Sequence, residues 1–158
     1  MGARVAVDED GRFAGYASVF NRRDSGGDVV MPGAFTRSLG ARSGRIRLLF
    51  QHDPKEPVGI WEQLREDGHG LFVRGRLVPD VPRSDALRRL IDARALDGLS
   101  IGFRTVKASR QAGSRLLHEI DLFEISIVTF PMMEDARIAS SVSTGAAIAA
   151  ATRLIRNR

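Results

Sequence analysis

The sequence predicts a single α+β domain that is mainly β, and three observations lead to this fold class. A chain of 158 residues is long enough for one hydrophobic core and short for two. Several segments alternate apolar and polar residues with the period of a strand, whereas one segment has a clear helical period. A set of strands with few helices forms an α+β sheet or a barrel-like, mainly β domain.

The first elements are a strand and a short helix. Residues 13–20 combine aromatic and β-branched side chains in the way that is typical of a strand. The Asp-Ser-Gly-Gly-Asp segment at 24–28 then predicts a turn. Pro32 opens a helical turn in which Phe35 and Leu39, four residues apart, share one face.

Three further strands follow in the middle of the chain. Residues 45–52 alternate, which places His52 at the end of an apolar strand face, and Pro54 is expected to stop this strand. Residues 58–64 and 71–78 flank an Asp-Gly pair and a second glycine, so they predict a β-hairpin.

The clearest helix comes next, and two strands complete the domain. The helix is predicted from Ser84, as its N-cap, to about residue 96, with Gly98 as the residue that stops it. Residues 99–106 and 116–130 are the last two strands. The predicted domain therefore ends near residue 138.

The remaining segment, 139–158, is a low-complexity basic tail. It is rich in small residues and contains three arginines among its last six positions. Those arginines account for three of the net five positive charges, leaving 21 basic against 19 acidic side chains elsewhere. A nearly neutral body disfavours a nucleic-acid partner. The chain contains no cysteine, and no segment has the length of a membrane span or the pattern of a signal peptide, so we expect a soluble cytoplasmic protein without a membrane partner.

Ser100 is the residue that this pattern explains least. It opens the strand after the helix, and its side chain shares a face with Gly102 and Arg104, while its apolar neighbours point to the core. Because Gly102 has no side chain, another backbone could approach the hydroxyl there. A nucleophile facing a bound peptide would suit this position, although a serine hydroxyl needs a base within hydrogen-bond reach.

A candidate base and a candidate orienting group are also present. His52 ends a strand face, where it is either a general base or a structural histidine bonded to the following loop. Glu124 lies in the last strand among aliphatic neighbours, where an unpaired carboxylate is costly, so it needs a partner. That partner is either an imidazole or an arginine.

Four segments together resemble one protein family. They are GYASVFNRRDSGGDVVMPGAF (15–35), LLFQHDPKEPVG (48–59), LDGLSIGF (96–103) and DLFEISIVTFPMMEDARI (121–138). In order and spacing they are similar to the prohead proteases of tailed bacteriophages, which are capsid maturation serine proteases related in fold to the herpesvirus assemblins. The resemblance covers residues 13–138 and leaves out the tail. It implies a herpesvirus-protease-like β-barrel with a few flanking helices over residues 1–138.

The resemblance also implies a catalytic set. Ser100 of the LSIGF motif corresponds to the nucleophile and His52 of the QHD motif to the general base. Glu124 of the LFEIS motif is the expected third member, and His118, six residues earlier on the same strand face, is the alternative. Gly102 and Arg104 are expected to contact the substrate, with Arg104 helping backbone N–H groups to stabilise the oxyanion.

The same resemblance implies the biological role. The expected substrates are the scaffold segment of the major capsid protein and the protease itself, which are cut inside the immature head (prohead) in the host cytoplasm. No metal or cofactor is expected. The alternative function is a catalytically inactive factor that assists capsid assembly.

Overall fold

A computed structural model describes residues 6–140, and this part of the chain forms seven strands and two helices. In chain order the elements are β1 (Arg12–Val19), β2 (Asp28–Val30), α1 (Thr36–Arg42), a 3-10 turn (Ser43–Arg45), β3 (Arg47–Phe50), β4 (Asp53–Glu66), β5 (Gly70–Leu77), α2 (Pro82–Asp92), β6 (Gly98–Gln111) and β7 (Ser114–Val128). Neither helix in this stretch is long and apolar enough to cross a membrane. Residues 141–158, and with them nearly all of the predicted tail, lie outside the described part.

All seven strands belong to one sheet, and β7 is its organising strand. The order is β1-β5-β4-β3-β7-β2, with β6 paired to the other edge of β7. β6 and β7 form a long antiparallel hairpin, while β3 and β2 run parallel to the second and first halves of β7. Any side chain on β7 therefore has neighbours from several parts of the chain.

The sheet curls into a half-barrel around the hydrophobic core. Residues 137–138 link its two open ends, because Ile138 bridges to Gly15 of β1 and Arg137 bridges to Gly98 of β6. The inner face is aliphatic, and Leu71, Ile120, Ile125 and Ile127 are among the side chains with no exposed surface. The predicted mainly β fold with a few flanking helices is confirmed.

Each helix is docked on the sheet through a buried serine. In α1, the Ser38 hydroxyl donates to the Ile120 carbonyl and accepts from the Leu122 amide, both at 2.9 Å. In α2, the Ser84 hydroxyl donates to the Val58 carbonyl of β4 at 2.6 Å. These hydrogen bonds fix the position of each short helix on the sheet.

The predicted ends of α2 are wrong at both termini. The helix begins at Pro82, so Ser84 is not its N-cap but a residue of its first turn whose hydroxyl points to β4. It ends at Asp92, and the left-handed residue after it is Arg94 (φ 57°). Gly98 does not stop the helix. It begins β6, where a Cβ would lie 2.7 Å from the Val128 carbonyl oxygen.

Candidate active site

His52 lies in a two-residue turn between β3 and β4, and not at the end of a strand face as the sequence predicts. Gln51 (φ 54°) and His52 (φ 58°) are both left-handed, and Phe50 pairs with Asp53 across the turn. Such a turn suits the twist of a hairpin, but a left-handed residue other than glycine costs about 1–3 kcal/mol. Pro54 does not stop the strand either, since it lies inside β4.

The end of β7 holds this turn in place. The Gln51 amide donates to the Ile127 carbonyl at 3.0 Å, and its side chain forms hydrogen bonds with Thr129 in both directions, at 2.6 and 3.3 Å. The His52 amide donates to the Ser126 hydroxyl at 3.0 Å. Because the turn is tied to β7 at three positions, the imidazole of His52 is held above that strand.

The partner of Glu124 is His52. Its Oε1 contacts His52 Nδ1, and its Oε2 accepts a hydrogen bond from Ser126 at 2.6 Å. The Glu124 side chain is 14% exposed and the His52 side chain 43% exposed. The hydrogen bond to Glu124 raises the pKa of His52 above its usual value, burial opposes this effect, and the charge of Glu124 adds to it. His52 Nε2 makes no hydrogen bond to any residue in the range 6–140.

The β6–β7 register brings Ser100 to the same face. Ser100 lies directly opposite Ser126, and Gly102 lies opposite Glu124. Side chains in such pairs share a face, with Cβ atoms about 5 Å apart. Ser100 is 5% exposed, and its hydroxyl forms no hydrogen bond within the part of the chain that the structure covers.

The Glu124 side chain lies over Gly102. The space above it is not free for another backbone, because a Cβ there would lie 2.2 Å from Glu124 Oε1. The missing side chain therefore makes room for the carboxylate that contacts His52. Gly102 shapes the site from within and does not present an open surface at this point.

Two other candidates lie away from this cluster. Arg104 forms an ion pair with Asp121 at 2.7 Å, and this hydrogen bond lowers the pKa of the Asp121 carboxyl. His118 lies in the far half of the β6–β7 hairpin, where its Nε2 is 2.7 Å from the Ser109 hydroxyl. Six strand residues separate it from Glu124, which corresponds to roughly 20 Å. The structure thus brings Glu124, and not His118, to His52.

Ser126 is the residue in this cluster that sequence reasoning left without a role. Ser126 follows Glu124 by two residues, so the sequence places both side chains on one strand face. This spacing is the sequence feature that indicates a contact between them. Its contact with the His52 amide depends on the turn at Gln51 and His52, which the alternating pattern of 45–52 hides.

A small cavity adjoins Ser100. Its volume is about 100 Å³, and it is lined by residues of β1, β2 and β6, by one residue of the β1–β2 loop and by two consecutive methionines: Ala17, Ser18, Asp24, Asp28, Val30, Leu99, Ser100, Ile101, Phe103, Met132 and Met133. A larger cavity of about 490 Å³, near α2, includes none of the candidate residues. Within residues 6–140 there is no group of three or more acidic or histidine side chains that could hold a metal ion.

Comparison with known proteins identifies the family of this chain. Residues 3–150 match the Caudovirus prohead serine protease family. The prohead protease of Enterobacteria phage HK97 is 40% identical over 139 residues, and the alignment covers 85% of this chain and 62% of that protein. The chain thus spans less than two thirds of that relative's length.

Solved structures confirm the herpesvirus-protease-like fold. The bacteriophage T4 capsid assembly protease superposes with a TM-score of 0.63 at 14% identity, covering 76% of this chain and 82% of that one. The KSHV protease with a hexapeptide phosphonate inhibitor superposes with a TM-score of 0.57 at 16% identity, covering 82% and 64%. The shared fold, the match over nearly the whole chain and the identity to the HK97 protein lead to one conclusion: the chain belongs to the family of Caudovirus prohead serine proteases.

Proposed function

We propose that this chain is a serine endopeptidase of phage head maturation, in which Ser100 is the nucleophile, His52 the general base and Glu124 the group that orients His52. The observation that carries the proposal is the contact between His52 Nδ1 and Glu124 on the sheet face that also holds Ser100. A serine hydroxyl becomes a useful nucleophile when a base takes its proton and a third group holds that base. Membership of the family supports the same assignment.

The proposed reaction uses His52 Nε2, which has no partner in the described range of the chain. Glu124 engages Nδ1, so Nε2 is left to accept the proton of Ser100 as its Oγ attacks the scissile carbonyl. The protonated His52 then donates this proton to the leaving amine, and an acyl-enzyme ester remains. Water, deprotonated by His52, hydrolyses the ester and restores Ser100. These side chains supply a nucleophile, a base and an orienting group, so the proposed chemistry requires no metal or cofactor.

Arg104 is a weaker part of this proposal. A positive group near the scissile carbonyl would stabilise the oxyanion, and loss of one such donor costs on the order of 100 to 1000-fold in rate. The guanidinium of Arg104 is already paired with Asp121. Its participation would require that it leave this carboxylate, so backbone N–H groups are the donors we favour.

The proposed substrates are the scaffold segment of the major capsid protein and other copies of the protease itself, inside the prohead in the host cytoplasm. The similarity to a prohead protease and to a capsid assembly protease supports a capsid substrate. The cavity of about 100 Å³ beside Ser100 could accept a substrate side chain next to the cleaved bond.

The proposal is tested with Ser100→Ala, His52→Ala and the double variant, each co-expressed with the capsid protein of the same phage. Each single variant should abolish shortening of the capsid subunit, measured by intact mass, while the circular dichroism spectrum stays unchanged. The double variant should be little worse, because members of a catalytic unit act together. Ser43→Ala is the matched control, since this exposed serine lies in the 3-10 turn and lines neither of the two cavities described above.

Two results would contradict the proposal. Capsid cleavage by purified Ser100→Ala protein, free of host proteases, would remove Ser100 as the nucleophile. A folded wild-type protein that neither shortens the capsid subunit nor reacts with a fluorophosphonate would favour the inactive assembly factor instead.

A further inference from the structure

Ser126 is a fully buried serine that makes two hydrogen bonds inside the candidate active site. Its exposed fraction is 0%. Its hydroxyl donates to Glu124 Oε2 at 2.6 Å and accepts from the His52 amide at 3.0 Å. A hydroxyl has one proton to donate, so the Ser126 proton is committed to the carboxylate, and one lone pair is committed to the backbone of the candidate base.

We propose that Ser126 is a positioning residue that couples the backbone of His52 to the carboxylate of Glu124. This inference rests on the proposed function, since it concerns the activation of Ser100. Through one oxygen atom, Ser126 fixes both ends of the contact on which proton transfer depends: the turn that carries the imidazole and the orientation of the carboxylate that meets it.

The left-handed turn explains why the His52 end needs an anchor. Gln51 and His52 both hold an unfavourable backbone conformation, which persists only where surrounding contacts impose it. Within residues 6–140, the His52 amide donates one hydrogen bond, and its acceptor is the Ser126 hydroxyl. Without the hydroxyl, the turn could relax and move the imidazole away from Ser100.

The carboxylate end has a similar requirement. Glu124 lies over Gly102, which has no side chain to confine it. Its Oε1 contacts His52, and Ser126 holds its Oε2. A carboxylate held at one oxygen can rotate about its last torsion, which is broad. Ser126 removes this freedom and keeps Oε1 directed at Nδ1.

Ser126 is not an alternative nucleophile in this arrangement. It lies opposite Ser100 on the adjacent strand, but its proton is donated to Glu124 and none of its surface is exposed. Ser100 retains some exposure and lines the small cavity, and its hydroxyl has no hydrogen-bond partner among residues 6–140. The two serines of this face therefore have different roles.

A change in the titration of His52 can be interpreted from the charged groups on the elements next to it. Glu124 on β7 makes the direct contact, and Arg47 on β3 lies beside Glu124 in the register. On β4, the Asp53 carboxylate accepts a hydrogen bond from the Lys55 amide. The charge and hydrogen bond that raise the pKa of His52 both come from Glu124. If Ser126 orients Glu124, removal of its hydroxyl should lower the pKa of His52.

The test compares Ser126→Ala with Ser38→Ala. Ser38 is a matched control, because it is also buried and also donates one hydrogen bond and accepts one, but to the backbone of β7 under α1. The readout is the rate at which a small fluorophosphonate labels Ser100 as a function of pH. Ser126→Ala should label about 10 to 100-fold more slowly, the range typical of lost orienting groups, and the acidic limb of its profile should move to lower pH. Ser38→Ala should lower the melting temperature and leave the limb in place.

A spectroscopic readout makes the test independent of activity. The proton between His52 Nδ1 and Glu124 should give a downfield proton NMR signal in wild-type protein, and Ser126→Ala should weaken or shift it. If Ser126→Ala does not fold, Ser126→Cys takes its place, since a thiol is similar in shape and a weaker hydrogen-bonding group. In Ser126→Cys, the acidic limb and the NMR signal should change in the same direction as expected for Ser126→Ala.

Three outcomes overturn the inference. The first is an unchanged pH limb and NMR signal in a folded Ser126 variant, which would leave Ser126 with a structural role only. The second is attachment of the fluorophosphonate to Ser126, identified by tandem mass spectrometry. The third applies if the wild-type protein is never labelled. In that case, a Ser126 variant with the same NMR signal as wild type would overturn the inference. Lack of labelling in wild type alone would count against the proposed function, while loss of the signal in the variant would still support the positioning role.

Discussion

At the residue scale, protonation of His52 has opposite consequences for stability and for the proposed activity. The hydrogen bond to Glu124 raises the pKa of His52. The contact therefore stabilises the fold fully at pH values below the ordinary histidine pKa, and this contribution is lost as pH rises through the raised pKa. The proposed general base needs the neutral imidazole, so activity should increase over the same pH range in which this stabilisation decreases.

Replacement of Glu124 should alter both the rate and the pH profile. In Glu124→Gln the imidazole loses the group that raises its pKa, so the acidic limb of the labelling profile should move to lower pH. The rate should fall by roughly 10³–10⁴, because the protonated base is no longer stabilised. His118→Ala is the control and should change neither quantity. A silent Glu124→Gln together with an inactive His118→Ala would instead support a Ser-His-His arrangement.

At the scale of elements, the site depends on two pairings with β7. The β6–β7 register places Ser100 and Gly102 opposite Ser126 and Glu124. The β3–β7 pairing brings the turn after β3 to the same end of the strand. The turn after β3 carries His52, β6 carries Ser100, and β7 carries both Glu124 and Ser126. These groups would not meet if the register slipped by one residue, because a one-residue slip moves side chains to the opposite face.

Gly102→Ala tests this arrangement directly. The added Cβ would lie 2.2 Å from Glu124 Oε1 and 2.7 Å from its Cδ, so the end of the side chain must move while the strands remain paired. We expect a loss of fluorophosphonate labelling comparable to that of Glu124→Gln, with a small change in melting temperature. Gly40→Ala in α1 is the control, because nothing lies within 4 Å of its added Cβ and alanine favours a helix by about 1 kcal/mol. If Gly102→Ala is labelled at the wild-type rate, the position of the Glu124 carboxylate over Gly102 is not required for the reactivity of Ser100.

At the scale of the whole molecule, the described fold ends where the chain links the two edges of the sheet. Ile138 bridges to β1, and the Ala139 amide donates to the Ala14 carbonyl at 2.8 Å. The small-residue tail follows directly after this point. A protease that is confined with many copies of itself encounters exposed segments at high effective concentration, and such segments are readily cut.

We therefore expect wild-type protein to trim itself within or near residues 139–151 and to release the basic TRLIRNR end. Ser100→Ala protein should stay at full length. Intact-mass spectrometry of each protein alone, and of the two mixed, separates cleavage within a molecule from cleavage between molecules. A wild type that remains full length while it cuts capsid protein would contradict self-trimming and favour a tail helix that docks through Ile148 and Ile155.

The sequence by itself determined the class of the fold and most of its strands. Alternation, turn residues and one helical stripe are local signals, and each of them reports which face of an element is buried. The same signals placed Ser100 and Gly102 on one face and showed that Glu124 needs a partner. The four motifs then supplied the family and the expected roles of Ser100, His52 and Glu124.

The tertiary structure decided how these residues meet. Alternation over 45–52 suggested a continuous strand, but contacts with Ile127, Ser126 and Thr129 stabilise a left-handed turn that local propensity disfavours. Ser84 had the chemistry of an N-cap, yet its hydroxyl bonds to β4, more than twenty residues away in sequence. Local sequence patterns do not predict such partners, because the free energy that selects them comes from contacts between distant segments. For the same reason, the contact between His52 and Glu124, which the motif match led us to expect, depends on the pairing of β3 with β7.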